Sequence, residues 1–120
     1  MTWEGLERRR FPRAKFPCKI IAHTLSEHTL VSHTENIGEG GVRVILDEKL
    51  SVHSKVGLEI YLEQEPIKCR GRIVWVIDIA HPLHQQALLF DTGIEFLDLC
   101  REDADRIKEL VERLLARKGE

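Results

Sequence analysis

Apolar and polar residues alternate with a period of two along most of the chain. Such alternation predicts strands that bury one face. We expect strands at about residues 16–23, 29–35, 42–46, 56–62, 67–79 and 87–96, separated by turns rich in glycine or proline. Many short strands with turn signals are typical of a small antiparallel barrel. The pattern therefore predicts an all-β fold, with six strands in an antiparallel β-barrel.

The longest predicted strand, residues 67–79, carries Ile73, Trp75 and Ile77 on one parity. The other parity carries Lys68, Arg70 and Arg72. On this basis Trp75 is expected to be a core residue, the usual role of an aromatic side chain in a strand. Gly71, inside the same strand, predicts a bulge or a barrel corner.

From residue 101 the period changes to that of a helix. Apolar residues recur at helical spacing and form one stripe: Ile107, Leu110, Val111, Leu114 and Leu115. The sequence therefore predicts a C-terminal helix at about residues 101–118. We expect its apolar stripe to cover an open part of the barrel, and a helical partner or self-association is the alternative.

Composition excludes several classes of protein. A chain of 120 residues with 42% hydrophobic and 32% charged residues is typical of one globular domain. A net charge of −2 argues against a protein built to grip nucleic acid. No apolar run is long enough for a membrane span and no signal peptide is evident, so a cytoplasmic location is expected. The three cysteines are widely spaced, so no metal site is predicted.

Positive charge is concentrated near the N-terminus, where Arg8, Arg9, Arg10 and Arg13 lie within six residues. A guanidinium group is planar and forked, so it matches phosphate oxygens or the O6/N7 edge of guanine. Pro12 favours an extended conformation before it. These features indicate an arm that binds a small anion. A solvated basic tail, or a strap that contacts RNA or DNA, is the alternative.

A second motif, from Asn36 to Gly41, combines an amide with three glycines. The Asn36 amide offers a donor and an acceptor, which can read the edge of a base. Gly38, Gly40 and Gly41 permit positive φ and a close approach of a ligand to the backbone. A plain hairpin turn is the alternative. Arg43 follows on the next strand and either adds to the site or faces solvent.

No enzyme motif is evident. The chain has no nucleophile elbow, no P-loop and no HExxH sequence. Asp91 and Glu95 share one face of the last strand, as many solvated carboxylates do. The residues with useful chemistry are arginines, an amide and glycines, so the sequence predicts a binding protein and no catalytic residues.

The two motifs, in this order before short strands and a C-terminal helix, resemble the PilZ domain family. The resemblance covers nearly the whole chain from about residue 7. Arg9 and Arg13 match the family signature R-x-x-x-R, with Arg8 as a common extra arginine. Residues 36–41 match the signature D/N-x-S-x-x-G, except that Gly38 replaces the serine. Residues 71–75 and 93–98 also resemble the family.

The resemblance implies a six-stranded β-barrel that binds the second messenger cyclic di-GMP, and no other cofactor. Arginines would hold phosphates and guanine Hoogsteen edges, and the amide would read a guanine edge. It implies a ligand site formed by Arg8, Arg9, Arg13, Asn36, Gly38 and Gly41, with Arg10, Arg43 and Trp75 as further candidates. A place for Trp75 beside the ligand is the alternative to a core position.

The expected organisation is an arm at residues 1–15 and a barrel with its helix at residues 16–120. Ligand binding would order the arm and signal to a protein effector in motility, exopolysaccharide output or transcription. Without the serine hydroxyl, Gly38 is expected to weaken affinity by roughly one to two decades. The alternative is therefore a PilZ-fold adaptor with weak or no ligand binding, which acts through protein contacts.

Overall fold

Within the residues that the structure describes, the chain forms seven strands and one helix. The computed structural model describes residues 13–15, 17–62, 65–80, 82–83 and 86–118. The elements are β1 (Arg13–Ala14), β2 (Lys19–His23), β3 (Thr29–Gly38), β4 (Gly41–Leu46), β5 (Lys55–Tyr61), β6 (Ile67–Ile79), β7 (Leu89–Phe96) and α1 (Arg101–Lys118).

Six of the strands close into an antiparallel barrel. Their order is β2-β3-β4-β7-β6-β5, and β5 pairs again with β2. Closure gives each barrel strand a neighbour on both sides, which is how small β-barrels avoid exposed sheet edges. β1 is an additional short strand that pairs with the end of β3. The predicted six-stranded antiparallel barrel with a C-terminal helix is confirmed.

Aliphatic side chains from alternate strand positions fill the barrel. The largest of the fully buried ones are Ile20, Ile37, Leu58, Ile60, Ile67, Ile73 and Ile94. Burial of one such side chain contributes about 1.5–3 kcal/mol. Two threonines are also buried, and each is hydrogen-bonded. Thr34 Oγ1 accepts the N–H of Cys18 at 3.1 Å, and Thr92 Oγ1 donates to the carbonyl of Phe90 at 3.1 Å.

A bulge in β6 changes the face on which its second half lies. Ile73 pairs with Ile94 but Trp75 pairs with Gly93, so Val74 is an extra residue. After the bulge Val76 packs against the core and Ile77 is 58% exposed. Ile73 and Ile77 share one parity in the sequence but therefore lie on opposite faces of the sheet. The irregularity lies three residues beyond Gly71, where a bulge or corner was expected.

Helix α1 packs its apolar stripe onto the barrel, against β3 and β1. Ile107, Leu110 and Val111 are buried, Leu114 is partly buried, and Leu115 is 38% exposed. Glu102 and Asp103 in the first turn suit the positive end of the helix dipole. No helix in the described ranges is long and apolar enough to cross a membrane. α1 thus contacts the two strands that carry the predicted ligand motifs.

Candidate ligand-binding site

The two predicted motifs meet where β1 pairs with the end of β3. Arg13 of the first motif lies opposite Gly38 of the second, and Ala14 lies opposite Ile37. Ala14 and Ile37 are both buried, so side chains of both paired strands pack in the hydrophobic core. The other arginines of the first motif lie outside the described residues: Arg8, Arg9 and Arg10.

A row of four residues crosses the outer face of the barrel, and we call it the outer row: Asn36 of β3, Arg43 of β4, Gly93 of β7 and Trp75 of β6. Each lies opposite the next in the strand register. The residues on both sides of Arg43 and of Gly93 are buried, which places the outer row on the opposite face. Strands lie about 4.8 Å apart, so three intervals span roughly 14 Å.

The indole ring of Trp75 lies over Gly93. A Cβ atom at Gly93 would overlap Cε2 and Nε1 of the indole and would lie 2.8 Å from Cζ2. Gly93 is therefore buried, while Trp75 is half-buried. The interpretation of Trp75 as a core residue is wrong, because the bulge at Val74 moves it to the outer face. A role for its indole beside a ligand stays a prediction.

Asp91 holds the guanidinium group of Arg43 through two parallel hydrogen bonds. Nε–H donates to Oδ1 and an Nη2–H donates to Oδ2, both at 2.8 Å. These bonds raise the pKa of Arg43, so the group stays fully charged. The Arg43 side chain is 38% exposed and the Asp91 side chain 15% exposed. The site thus presents an accessible cation whose counter-charge is largely covered.

The second carboxylate on this face of β7, Glu95, pairs with Arg72. The N–O distance is 3.4 Å, and both side chains are about half-exposed. Asp91 and Glu95 are therefore each engaged by an arginine. Each carboxylate of this face thus has a different arginine as its partner, Arg43 for Asp91 and Arg72 for Glu95.

The glycine motif brings two strands close together. A Cβ atom at Gly41 would overlap the carbonyl oxygen of Ile94 and would lie 3.1 Å from Cα of Glu95. Gly41 thus allows the close approach of β7, whereas the sequence predicts the close approach of a ligand. None of the described glycines has a positive φ. The positive φ that Gly38, Gly40 and Gly41 permit is therefore not used in this structure.

The three cysteines are not part of the outer row. Cys18 is buried, Cys69 half-buried and Cys100 exposed. Burial raises the pKa of the Cys69 thiol to about 12 and also raises the pKa of Cys18. A protonated thiol is a poor nucleophile and a poor metal ligand. Among the described residues, no group of three or more His, Cys, Asp or Glu side chains could hold a metal ion.

Two residues of this face have roles that the sequence does not predict. Asp91 accepts hydrogen bonds from Arg43, and Gly93, which has no side chain, leaves room for the Trp75 indole. A period of two does place Asp91 and Gly93 on one face of β7, so a weak signal existed. Only the register between β4, β7 and β6 brings Arg43 and Trp75 beside them.

Comparisons with known proteins agree with this architecture. A model of the PilZ domain matches residues 7–113. The Bacillus subtilis inhibitor of motility MotI/DgrA superposes with a TM-score of 0.77 at 18% identity, over 94% of this chain and 54% of that chain. The PilZ domain of Escherichia coli YcgR, solved with c-di-GMP, gives 0.71 at 13% identity, over 92% and 94% of the two chains.

K. pneumonia MrkH superposes with a TM-score of 0.75 at 15% identity, over 92% of this chain and 50% of that chain. This chain thus spans about half the length of the MotI/DgrA and MrkH chains. Identities this low show similarity of fold alone. No curated protein matches the chain. Because the family model covers most of the chain, including both motifs, and the barrel has the fold of the YcgR domain, this chain belongs to the PilZ domain family.

Proposed function

We propose that this chain is a cyclic di-GMP receptor module that signals to a protein effector and catalyses no reaction. The pairing of Arg13 with Gly38 carries the proposal, because it brings the arginine motif beside the glycine motif. The outer row begins two residues before Gly38, at Asn36. The PilZ domain of YcgR, which has this fold, was solved with c-di-GMP.

The ligand carries two phosphates and two guanines, and we propose a partner for each. In this proposal Arg8, Arg9 and Arg13 hold phosphates and guanine Hoogsteen edges, with Arg10 as an additional cation. A hydrogen bond to a charged group contributes about 1.5–3 kcal/mol. Three or four such bonds contribute about 5–12 kcal/mol, and the barrel contacts offset the cost of ordering the arm, so the total is compatible with the roughly 8 kcal/mol of micromolar affinity. We therefore expect a Kd in the micromolar range.

The remaining predicted contacts come from the barrel. The Asn36 amide reads a guanine edge, and Gly38 and Gly41 leave backbone room for the ligand. Arg43 offers an accessible guanidinium, and the outer face of the Trp75 indole offers a surface on which a base can stack. Stacking of a base on an aromatic side chain contributes about 1–3 kcal/mol.

Calorimetric titration with cyclic di-GMP tests the proposal. We expect micromolar binding by the native chain and a loss of at least tenfold in Arg13→Ala, since one charged partner is removed. Arg101→Ala is the matched control, because it removes the same charge from an exposed position at the start of α1. An absence of heat and of thermal stabilisation at high micromolar ligand would overturn the proposal.

In this proposal, ligand binding orders the N-terminal arm and so creates a surface for the effector. Trypsin cleaves after arginine, so the arm reports its own accessibility at Arg8, Arg9 and Arg10. We expect cyclic di-GMP to slow cleavage at these sites, and cyclic di-AMP at the same concentration to leave it unchanged. Equal cleavage with and without bound cyclic di-GMP would exclude arm ordering as the signal.

The effector is proposed by class only. A motility component, an exopolysaccharide synthase and the transcription machinery all fit the proposal. MotI/DgrA is an inhibitor of motility, and MrkH is a c-di-GMP-dependent transcription regulatory factor. Comparison of the proteins captured by ligand-loaded and ligand-free chain would identify the partner.

A second candidate is an adaptor that binds little or no cyclic di-GMP. The observation that favours it is Gly38, which provides no hydroxyl at the position of the family serine. On this account Gly38→Ser creates or strengthens binding by about one to two decades, the value of one hydrogen bond to a charged group. Tight native binding that Gly38→Ser does not change would exclude the adaptor.

A further inference from the structure

The ion pair between Arg43 and Asp91 has the geometry of a rigid support. Both hydrogen bonds measure 2.8 Å, and they join the side edge of the guanidinium, Nε and Nη2, to both carboxylate oxygens. Asp91 is 15% exposed, so water does little to weaken the pair. An arginine side chain held at two atoms has its rotation about the terminal bonds restricted, whereas an unpaired one samples many rotamers.

The pair leaves the outer end of the guanidinium for another partner. Asp91 uses the Nε–H and one N–H of Nη2, and the group has five N–H donors in total. The remaining three, two on Nη1 and one on Nη2, include the parallel pair that matches two phosphate oxygens or the O6 and N7 atoms of guanine. Arg43 stands between Asn36 and Gly93 in the outer row and is 38% exposed.

We propose that Asp91 is a positioning residue for the ligand: it fixes Arg43 so that the end of the guanidinium meets a phosphate or guanine edge on the outer row. The inference rests on the proposed function, because it takes the ligand to be a guanine-containing dianion. Arg43 contacts the ligand in this proposal, and Asp91 acts only through Arg43.

Two effects of the Asp91 carboxylate oppose each other, and the geometry decides between them. Its negative charge repels a dianionic ligand, which favours weaker binding. The carboxylate binds the side edge of the guanidinium and is largely covered, so it lies farther from a ligand at the outer end than the cation does, and its repulsion is weaker than the attraction of Arg43. Fixing the cation therefore outweighs the residual repulsion, and removal of the carboxylate is expected to weaken binding.

The experiment compares two carboxylates on the same face of β7. Asp91→Asn removes the charge and one of the two bonds to Arg43, and we expect the Kd for cyclic di-GMP to rise about tenfold. Glu95→Gln removes the same charge from the 3.4 Å pair with Arg72, and we expect an equal or lower Kd. If both substitutions lower the Kd, the carboxylates merely repel the ligand and the proposal is wrong.

Two further variants test the positioning role. Asp91→Glu separates the position of the carboxylate from its charge, and a double substitution tests whether Asp91 acts through Arg43. Asp91→Glu keeps the charge but displaces the carboxylate by one methylene, so we expect a Kd raised several-fold. A native Kd in Asp91→Glu would contradict the proposal. In an Arg43→Gln background, Asp91→Asn is expected to change the Kd less than twofold, because Asp91 then has no guanidinium to position. An undiminished tenfold effect in that background would also contradict it.

All titrations are made at a temperature at which each variant is folded by circular dichroism. Failure of the native chain to bind cyclic di-GMP removes the proposed function and this inference with it. Native binding together with an unchanged Kd in Asp91→Asn overturns the inference alone. The two failures are therefore distinguishable.

Discussion

Substitution of Gly93 by alanine tests the packing of the outer row most sharply. The added methyl group would occupy the position of Cε2 and Nε1 of the Trp75 indole and would approach Cζ2 to 2.8 Å. Carbon atoms in contact are normally about 3.5–4.0 Å apart. The obstacle is a half-buried side chain rather than backbone, so we expect the indole to swing toward solvent while the barrel stays closed.

The cost follows from the area that the indole loses. An aromatic side chain buries about 150–250 Å², and exposure of about 100 Å² of it costs about 2.5 kcal/mol. Alanine regains about 0.5–1 kcal/mol relative to glycine, because it has less backbone entropy to lose. The net destabilisation is about 1.5–2 kcal/mol. With an unfolding entropy of about 250 cal/mol/K for 120 residues, Tm falls by about 6–8 °C.

Fluorescence in a Trp3→Phe background reports Trp75 alone, since the chain has two tryptophans. We expect Gly93→Ala to shift the emission to longer wavelength and to increase quenching by acrylamide. Gly57→Ala is the matched control, because a Cβ there would meet only an ordinary contact, His23 Cβ at 3.7 Å. Emission and Tm in Gly93→Ala that equal those of the native chain would refute the packing of the indole on Gly93.

Substitutions at three further positions test the framework of the barrel. Gly41→Ala is expected to cost about 3 kcal/mol in urea denaturation, more than Gly93→Ala, because the obstacle is the β7 backbone; a smaller cost than at Gly93 would contradict this. Thr34→Val leaves the buried N–H of Cys18 without its acceptor and should cost about 1–3 kcal/mol, while Thr34→Ser retains most of the stability; an equal cost for both would argue against the hydrogen bond. Asp98 accepts the backbone N–H and Nε–H of Arg70, which lower its pKa below the usual 3.8. Its contribution is therefore present above that pH and lost as the pH falls through the lowered pKa, so Asp98→Asn should flatten the fall of Tm below about pH 4; an unchanged acid profile would contradict this.

The strand pattern predicts which residues form the barrel better than it predicts which way they face. The predicted strand at residues 67–79 has the bounds of β6. Its second half faces the other way, because Val74 is an extra residue opposite β7. Residues Val74, Trp75, Val76 and Ile77 are all apolar, so a change of face leaves no mark on the alternation. Only the register with β7 reveals it.

In the candidate site, too, the sequence predicts which motifs act together but not which side chains are in contact. The motif pattern predicts that Arg13 and the glycine turn act together, and the two lie side by side at the β1–β3 pairing. The partner of Arg43, by contrast, lies 48 residues away along the chain. The β4–β7 pairing of the barrel creates that contact, and the sequence next to Arg43 or Asp91 does not predict it.

We propose that a cyclic guanine dinucleotide binds where the arginine motif meets the outer row. A titration of ¹⁵N-labelled chain with cyclic di-GMP tests it directly, residue by residue. We predict saturable shifts of the backbone amides of Arg13, Asn36 and Gly38 and of the indole N–H of Trp75. The amides of Leu25 and Ser26, in the exposed turn between β2 and β3 at the far end of β3 from Gly38, should stay in place and serve as the internal control. Shifts confined to other surfaces, with these four signals unmoved, would contradict this binding site.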